Sequence, residues 1–386
     1  MTYDAITKGK IKTWVPKDPS NPMAGPRSKE PEEVPYTIKA AIFSCANFAS
    51  NFPNQNRILN EIFDEKNLEF VVDLEMFMND TARMCDLVLP ITSWFENDDI
   101  VGGMHPFMMR QERAIDPIGE CKSDFEIYKG LSEKLGLSQY WVKTPQAFID
   151  EIIHNIAQAL QNPQIEEDFK RDGVARLMPP ALIPLQDGKY MTPSGRAEFY
   201  AEGVVVNWPA IQPSFRLPVD MGFAPLPHFE PPYEAWHENP KFAQYPLVLN
   251  QRHSRFRVHT TYYNVPVLRE MDPEPLVEMN EHEMARRGLR DGDIVRVYND
   301  RGQAVLKVRT NNAYPDHTCN INKGWQRHQF IAGGYQELTT EHVNYRHYNC
   351  SFFDVLVEVE PWNPEKVPPR SIEEHDGKAH IVKGGV

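Results

Sequence analysis

The sequence has no two cysteines close enough to make a CxxC pair. Its five cysteines, Cys45, Cys85, Cys121, Cys319 and Cys350, stand singly. A structural zinc or an iron–sulfur cluster built from this chain alone is therefore not expected. The odd number and wide spacing suit reduced, mostly buried thiols in a reducing compartment. Long apolar runs are also missing, and none approaches the length of a membrane span. The opening residues, MTYDAITKGKIKTW, contain no apolar core of a secretory signal. A cytoplasmic chain is the expectation, with export open only through a signal-bearing partner. Positive charge is scarce: 41 Lys and Arg face 54 Asp and Glu, a formal net charge of −13. That balance argues against broad contact with nucleic acid, whose affinity depends on neutralising phosphates. No internal repeat is visible.

What is present falls into segments. Residues 1–35, with PKDPSNPMAGP and KEPEEVP, read as a linker or arm. Residues 36–178 read as an α/β portion. IKAAIFS (38–44), LEFVVDL (68–74) and LVLPIT (87–92) are unbroken apolar strands, as parallel strands buried on both faces should be. Between them, NQNRILNEIFDEK (54–66) and NDTARMCD (79–86) have helical spacing, which predicts right-handed crossovers. Asn79 and Thr81 suit the cap of the second of these helices. Ser123 and Glu126 predict a capping box, and PQAFIDEIIHNIAQAL (145–160) a further amphipathic helix. Residues 179–240 are Pro-rich and read as a long connection. Residues 241–365 turn to β: YPLVLN, PLVEMN, DIVRVYND, QAVLKVRT, HTCNIN and FFDVLVEVE predict a small closed barrel. Asn299-Asp300-Arg301-Gly302 predicts a tight hairpin, with Gly302 able to take positive φ. Residues 366–386 form a tail.

One stretch runs against the acidic background. NQRHSRFRVHTTY (250–262) gathers Arg252, Arg255, Arg257, His253 and His259 directly after an apolar strand. Three readings compete for it. It can cradle an anion, since Arg makes planar, bidentate contacts with phosphate. It can bind metal through His253 and His259, although their spacing matches no strong metal motif. It can be a solvated or ion-paired face, the common fate of a charge run. SCANFASN (44–51), a strand end leading into a helix, places Asn47 where open parallel sheets bind ligands. Asp73, at another strand end, can accept from a ribose hydroxyl or a guanine edge.

These pieces share an order with a known family. SCANFASN, VVDLEMFMNDTARMCDLVLP, WFEND, RQERAIDPIGECKSDFEIYKGLSEKLGL and MTPSGRAEFY resemble the molybdopterin guanine dinucleotide enzymes of the dimethyl sulfoxide reductase family. YPLVLNQRHSRFRVHTTY and EPLVEMNEHEMARRGLRDGDIVRVYNDRGQAVLKVRT resemble that family's C-terminal dinucleotide-binding domain. The likeness spans residues 36 to 360. It implies an α/β fold, a parallel-sheet portion followed by a double-psi-type β-barrel. It also implies a molybdenum or tungsten bis-molybdopterin guanine dinucleotide cofactor.

Carried over position by position, it assigns cofactor contacts to Asn47, Asp73, Asp124, Gln251, Arg252, His253, Ser254 and His259. With it the anion-cradle reading leads for Arg252, His253 and Ser254, and Arg255 and Arg257 stay open. Phe48 replaces a family Pro, Asn250 and Gln251 replace Thr and Gly, and Glu96-Asn97-Asp98-Asp99 stands where a Lys is common. Asp354 stands where the family often has a Lys before the final strand. These departures resemble the branch of acetylene hydratase, pyrogallol hydroxytransferase and the catechol dehydroxylases.

The family's N-terminal cysteine motif and its metal-ligand segment have no counterpart here, so no catalytic or metal-ligating residue is assigned. The resemblance implies the C-terminal half of a catalytic subunit, inactive alone and partnered by an N-terminal half. An iron–sulfur electron-transfer subunit is a further partner, and neither nucleic acid nor a membrane span is expected. A non-catalytic carrier of the dinucleotide, or the remnant of an interrupted gene, stay open beside it. His105, His342, His347 and Tyr348 read as loop or surface residues, and Trp325 as packing.

Overall fold

The computed structural model describes residues 12–13, 32–33, 37–103, 105–141, 143–178, 183, 185–190, 192–200, 226, 229, 231–344 and 349–370. Most of the arm, much of the Pro-rich connection, His347, Tyr348 and the tail past Arg370 lie outside them. The chain forms two compact units. One comprises the described residues of Met1–Asp73, Met78–Val88 and Phe199–Val386. The other comprises Leu74–Phe77 and those of Leu89–Glu198. The first unit thus joins the barrel to the early strand-helix segments, which sequence order had kept apart.

Strands β1 (Ala40–Ser44), β2 (Phe70–Glu75) and β3 (Leu87–Pro90) lie side by side in that order, forming a parallel sheet. Helix α1 (Phe48–Asn51) follows β1, and helix α2 (Asp80–Met84) follows β2. Asn79 caps α2, its side chain accepting from the Ala82 amide at 2.9 Å. The predicted helix over 54–66 is shorter and wider: Gln55–Arg57 passes into a π-turn, Ile58–Ile62, closed by the Phe63 amide on the Ile58 carbonyl. A turn at Asp64–Asn67, with Lys66 N donating to the Asp64 carboxylate, ends it. Of the apolar positions in that spacing, Ile58, Ile62 and Phe63 are buried with Ala49, Leu68 and Val71, and Leu59 is partly buried against them.

The barrel uses six strands: β7 (Leu247–Asn250), β8 (Leu276–Met279), β9 (Ile294–Tyr298), β10 (Gln303–Thr310), β11 (Thr318–Ile321) and β13 (Leu356–Pro361). Their pairing order is β8-β11-β7-β13-β9-β10, and β10 pairs back onto β8, so the sheet closes. A short strand, β12 (Ala332–Gly333), adds to β10. β8 with β10 and β7 with β11 are parallel pairs, and the other ring contacts are antiparallel. This is the double-psi-type closure implied by the resemblance. Closure leaves no free edge within the ring. Alternation fills it: in β9, Val295 and Val297 point inward and are fully buried, while Arg296 and Tyr298 are only partly covered. Each such side chain contributes about 1.5–3 kcal/mol on burial.

Gly302 corrects an expectation. It closes the β9–β10 hairpin but is not among the positive-φ residues. A Cβ there would stand 2.7 Å from the Glu337 Cβ and 2.9 Å from its carbonyl oxygen. Close packing, not turn geometry, demands the glycine.

The second unit pairs β4 (Asp99–Val101), β5 (Phe107–Gln111) and β6 (Val174–Arg176) antiparallel. Helices α3 (Asp124–Lys134), α4 (Pro145–Ala159) and α5 (Gln164–Asp172) belong to it. The capping box at Ser123 and Glu126 forms as predicted. Ile149, Ile153, Ile165 and Phe169 make its core. Among the described residues no helix is long and apolar enough to cross a membrane. The cysteines are unpaired thiols, but only Cys85 and Cys319 are buried and Cys45 is exposed, so the expectation of mostly buried thiols holds for two of the five.

Candidate functional site

β7 and β11 run parallel in the register Val248↔Thr318, Leu249↔Cys319, Asn250↔Asn320. Both strands therefore end at the same rim of the barrel, and their following loops leave side by side. Ligands gather at the carboxyl ends of parallel strands because two loops diverge there and expose backbone donors. Here the loops are stitched together. The Arg252 amide donates to Asn320 Oδ1 at 2.9 Å, and the Lys323 amide donates to the Arg252 carbonyl at 3.0 Å. Gly324 has φ +101°, and a Cβ there would lie 2.1 Å from the His259 carbonyl oxygen. Only glycine lets the 322–325 loop press against the 257–259 segment, where His259 itself holds φ 52°.

Between these loops lies a cavity of about 600 Å³. Its walls are Gln251, His253, His259 and Thr260 from one loop and Asn322, Lys323, Gly324 and Trp325 from the other. Ser50 and Asn51 of α1, with Tyr335, Gln336, Cys350, Phe352 and Phe353, complete it. Among the described residues no Asp or Glu lines it. The ionisable nitrogens of its described lining are Lys323, His253 and His259, and the neutral amides and hydroxyls can donate as well as accept. Partial burial lowers the Lys323 ammonium from its usual range. Partial burial, then the charge of Lys323 and of His253, lowers the His259 imidazole. The two imidazole rings meet edge-on at 6.5 Å. In an acidic protein, a cavity whose described lining holds Lys323 and two histidines and no carboxylate carries a local positive field.

The eight residues singled out in the sequence are not all brought to this cavity. Gln251, His253 and His259 line it. Arg252 is beside it but turns away: its guanidinium takes the buried Glu278 carboxylate at 3.1 Å and Asn322 Oδ1 at 3.1 Å. Ser254 accepts from the Phe256 amide at 3.1 Å and approaches the Asp272 carboxylate at 3.3 Å. Asn47 is buried, giving its amide to Thr260 Oγ1 at 3.0 Å and Gln326 Oε1 at 2.8 Å and accepting from the Thr81 hydroxyl at 3.0 Å. Asp73 is fully buried in β2, and burial, then the charges of Asp73 and Asp86, hold the neighbouring Cys85 thiol in its protonated form. Asp124 opens α3 in the second unit.

Of the ambiguous pair, Arg255 is exposed, and Arg257 is buried, ion-paired with Asp272 and stacked 3.5 Å over the Trp325 ring. Arg257 therefore shapes the cavity wall from behind. No group of three or more His, Cys, Asp or Glu suited to a metal occurs among the described residues.

Sequence reasoning missed Lys323, Ser50 and the aromatic floor of Phe352 and Phe353. The signal for Lys323 was present: Asn-Lys-Gly-Trp directly follows a predicted strand, a cation and a glycine at a strand end. Phe352 and Phe353 were assigned to the last strand, which instead begins at Leu356. Asp354, just before it, accepts from the Glu234 amide at 2.9 Å and from the Ala235 amide.

Comparison with known proteins places both parts. Residues 247–352 match the family profile described as molydopterin dinucleotide binding domain, and residues 27–134 the profile described as molybdopterin oxidoreductase. A protein of Halobacterium salinarum, named for the catalytic chain of a dimethyl sulfoxide reductase, is 28% identical over 313 residues, covering 80% of this chain and 35% of that protein. Dimethyl sulfoxide reductase DmsA of Escherichia coli is 27% identical over 329 residues, covering 80% of this chain and 38% of that protein. The solved structure of acetylene hydratase from Pelobacter acetylenicus superposes with a TM-score of 0.65 at 20% identity, over 85% of this chain and 45% of that one. This last likeness establishes the fold. The chain thus spans less than half the length of each of these relatives.

Proposed function

This chain belongs to the dimethyl sulfoxide reductase family of molybdopterin enzymes, and from that premise we propose that its barrel-rim cavity holds a molybdopterin guanine dinucleotide as part of a larger oxidoreductase. The observation that carries the proposal is the lining of the 600 Å³ cavity, which among the described residues gathers Lys323, His253 and His259 and no carboxylate. The group fits that wall. Its pyrophosphate suits Lys323, His253 and His259, which supply charge without a competing anion. Its heterocycles suit the amides of Gln251, Asn322 and Gln336, and Trp325, Tyr335 and Phe352 offer flat apolar surface. When bound, a molybdenum or tungsten pterin centre supplies redox or hydration chemistry. The residues named here bind and orient the dinucleotide and exclude water from its apolar side. The metal's protein ligand and any iron–sulfur relay belong, in this proposal, to other segments of the assembly.

The test uses the purified chain and GDP, which carries the charged end of the dinucleotide. Calorimetric titration should show saturable binding, and Lys323→Ala should weaken it about tenfold, or roughly 1.4 kcal/mol. A wild-type chain that takes up no GDP, and no pterin nucleotide when made in a host that synthesises it, rules the reading out.

A pH dependence follows from His259. Its imidazole protonates below the usual histidine range, near pH 6.5, because burial and two neighbouring cations oppose the charge. An anion in the cavity favours the protonated form, so binding draws in a proton. GDP affinity should therefore climb as pH falls below about 6.5, and His259→Gln should flatten that climb. A wild-type profile that stays flat from pH 7.5 down to about 5, well below the usual histidine value of about 6.5, would remove His259 from the site.

A further inference from the structure

The cavity wall continues past Trp325 into a buried turn, Gln326–Gln329, and that turn does not rest on the barrel alone. Gln326 is fully buried. Its side-chain oxygen accepts from Asn47 Nδ2 at 2.8 Å and from the Asp80 amide at 3.2 Å. The next two residues bind the Asp80 carboxylate. One carboxylate oxygen accepts from the Arg327 amide and from the Ser50 hydroxyl. The other accepts from His328 Nδ1 at 2.7 Å and from the His328 amide at 3.3 Å. Asp80 is 6% exposed and does not line the 600 Å³ cavity. Yet it grips the turn that follows Lys323, Gly324 and Trp325, and also Ser50, which lies on the opposite wall.

We propose that Asp80 is a positioning residue of the cavity: through the Gln326–His328 turn and Ser50 it fixes the separation of the two walls and the placement of Lys323. The inference rests on the reading of the cavity as an anion site. Its physical basis is the acceptor count. Four donors converge on two oxygens, and only a carboxylate offers acceptors on both sides. An amide in its place would turn an NH₂ group toward one pair of donors, so either the Arg327 and Ser50 side or the His328 side would have to move. The charge environment favours the ionised form of Asp80. Burial acts to raise its pKa, but the hydrogen bond and charge of His328, with the bonds from Ser50 and the Arg327 amide, more than offset it. Around the pair stand Arg83, Arg327 and Arg370, with Glu337 bound to Arg327 at 3.1 Å and the Tyr263 ring 5.9 Å from the His328 ring.

A double-mutant cycle in the intact chain tests the proposal. GDP affinity is measured for wild type, Asp80→Asn, Lys323→Ala and the double variant. Asp80→Asn is expected to weaken GDP binding about tenfold, and to add little once Lys323 is gone, because both changes act on one contact. The emission difference between wild type and Trp325→Phe should also change in the Asp80→Asn background. Thr144→Ala, which removes the N-cap of α4 in the other unit, is the control. It should lower thermal stability and leave GDP affinity unchanged.

Equal GDP affinity in wild type and Asp80→Asn overturns the proposal, as do losses that add in full. Where Asp80→Asn does not fold, His328→Asn removes one donor and should give a smaller loss with the same coupling to Lys323. A wild type that binds no GDP overturns the anion-site reading itself, which is a separate result.

Discussion

Gly324→Ala is expected to destabilise the first unit by at least about 3 kcal/mol and to abolish GDP binding. Two costs combine. At φ +101° an alanine is strained whatever the surrounding space. Its Cβ would also lie 2.1 Å from the His259 carbonyl oxygen and 3.1 Å from the Arg257 Cβ. The first of these atoms is backbone, held by a loop whose Arg257 is ion-paired and stacked on Trp325. Relief requires the 322–325 loop to withdraw, which carries Lys323 away from His253 and His259. Urea denaturation followed by tryptophan emission measures the first effect, and GDP titration the second. An alanine variant with wild-type stability would show that the two loops are not pressed together as described.

Glu234→Ala should cost about 3–5 kcal/mol, the usual penalty for breaking a buried ion pair by removing one partner. Glu234 is 3% exposed and holds the Arg301 guanidinium with both oxygens, at 2.6 and 2.8 Å, while its Oε1 also accepts from the Leu356 amide at 2.9 Å. It thereby ties the end of the Pro-rich connection to the β9–β10 hairpin and to the first residue of the closing strand. Alanine leaves a largely buried guanidinium without its carboxylate and a strand amide without its acceptor. Glu234→Leu combined with Arg301→Met should recover most of the loss, because the desolvation of two charges is removed together. Thermal denaturation of the two variants beside wild type decides this. A single variant as stable as wild type would mean that water replaces Glu234 at no cost.

Where the fold was legible, the signals were local. Apolar runs marked β1 to β3, Ser123 with Glu126 marked the start of α3, and Asn79 marked the start of α2. Gly302 was recognised as special, but its reason lies in Glu337, a residue distant in sequence. The site was harder to read for the same cause. His253 and His259 stood out in a charge cluster that follows a strand end, and Gln251 came from the family resemblance. Whether Arg252, Ser254 and Arg257 face the cavity or a carboxylate is decided by Glu278 and Asp272, which no periodicity reveals. Asn47 meets Gln326 across 279 positions of chain. Positive charge near a strand end predicts that something anionic is held; the fold decides whether it is a ligand or the protein's own side chain.

Barrel closure has a temporal consequence. β7 is made early, but both its neighbours, β11 and β13, are made late, and β13 is the last of the six strands. Such pairing incurs its loop-closure entropy before any contact offsets it, which slows folding. Until the ribosome has released β13, β7 lacks one partner and the cavity lacks Phe352 and Phe353. A ligand that needs the complete wall can therefore be captured only by a finished barrel, so loading reports that the closing strand has been made and paired.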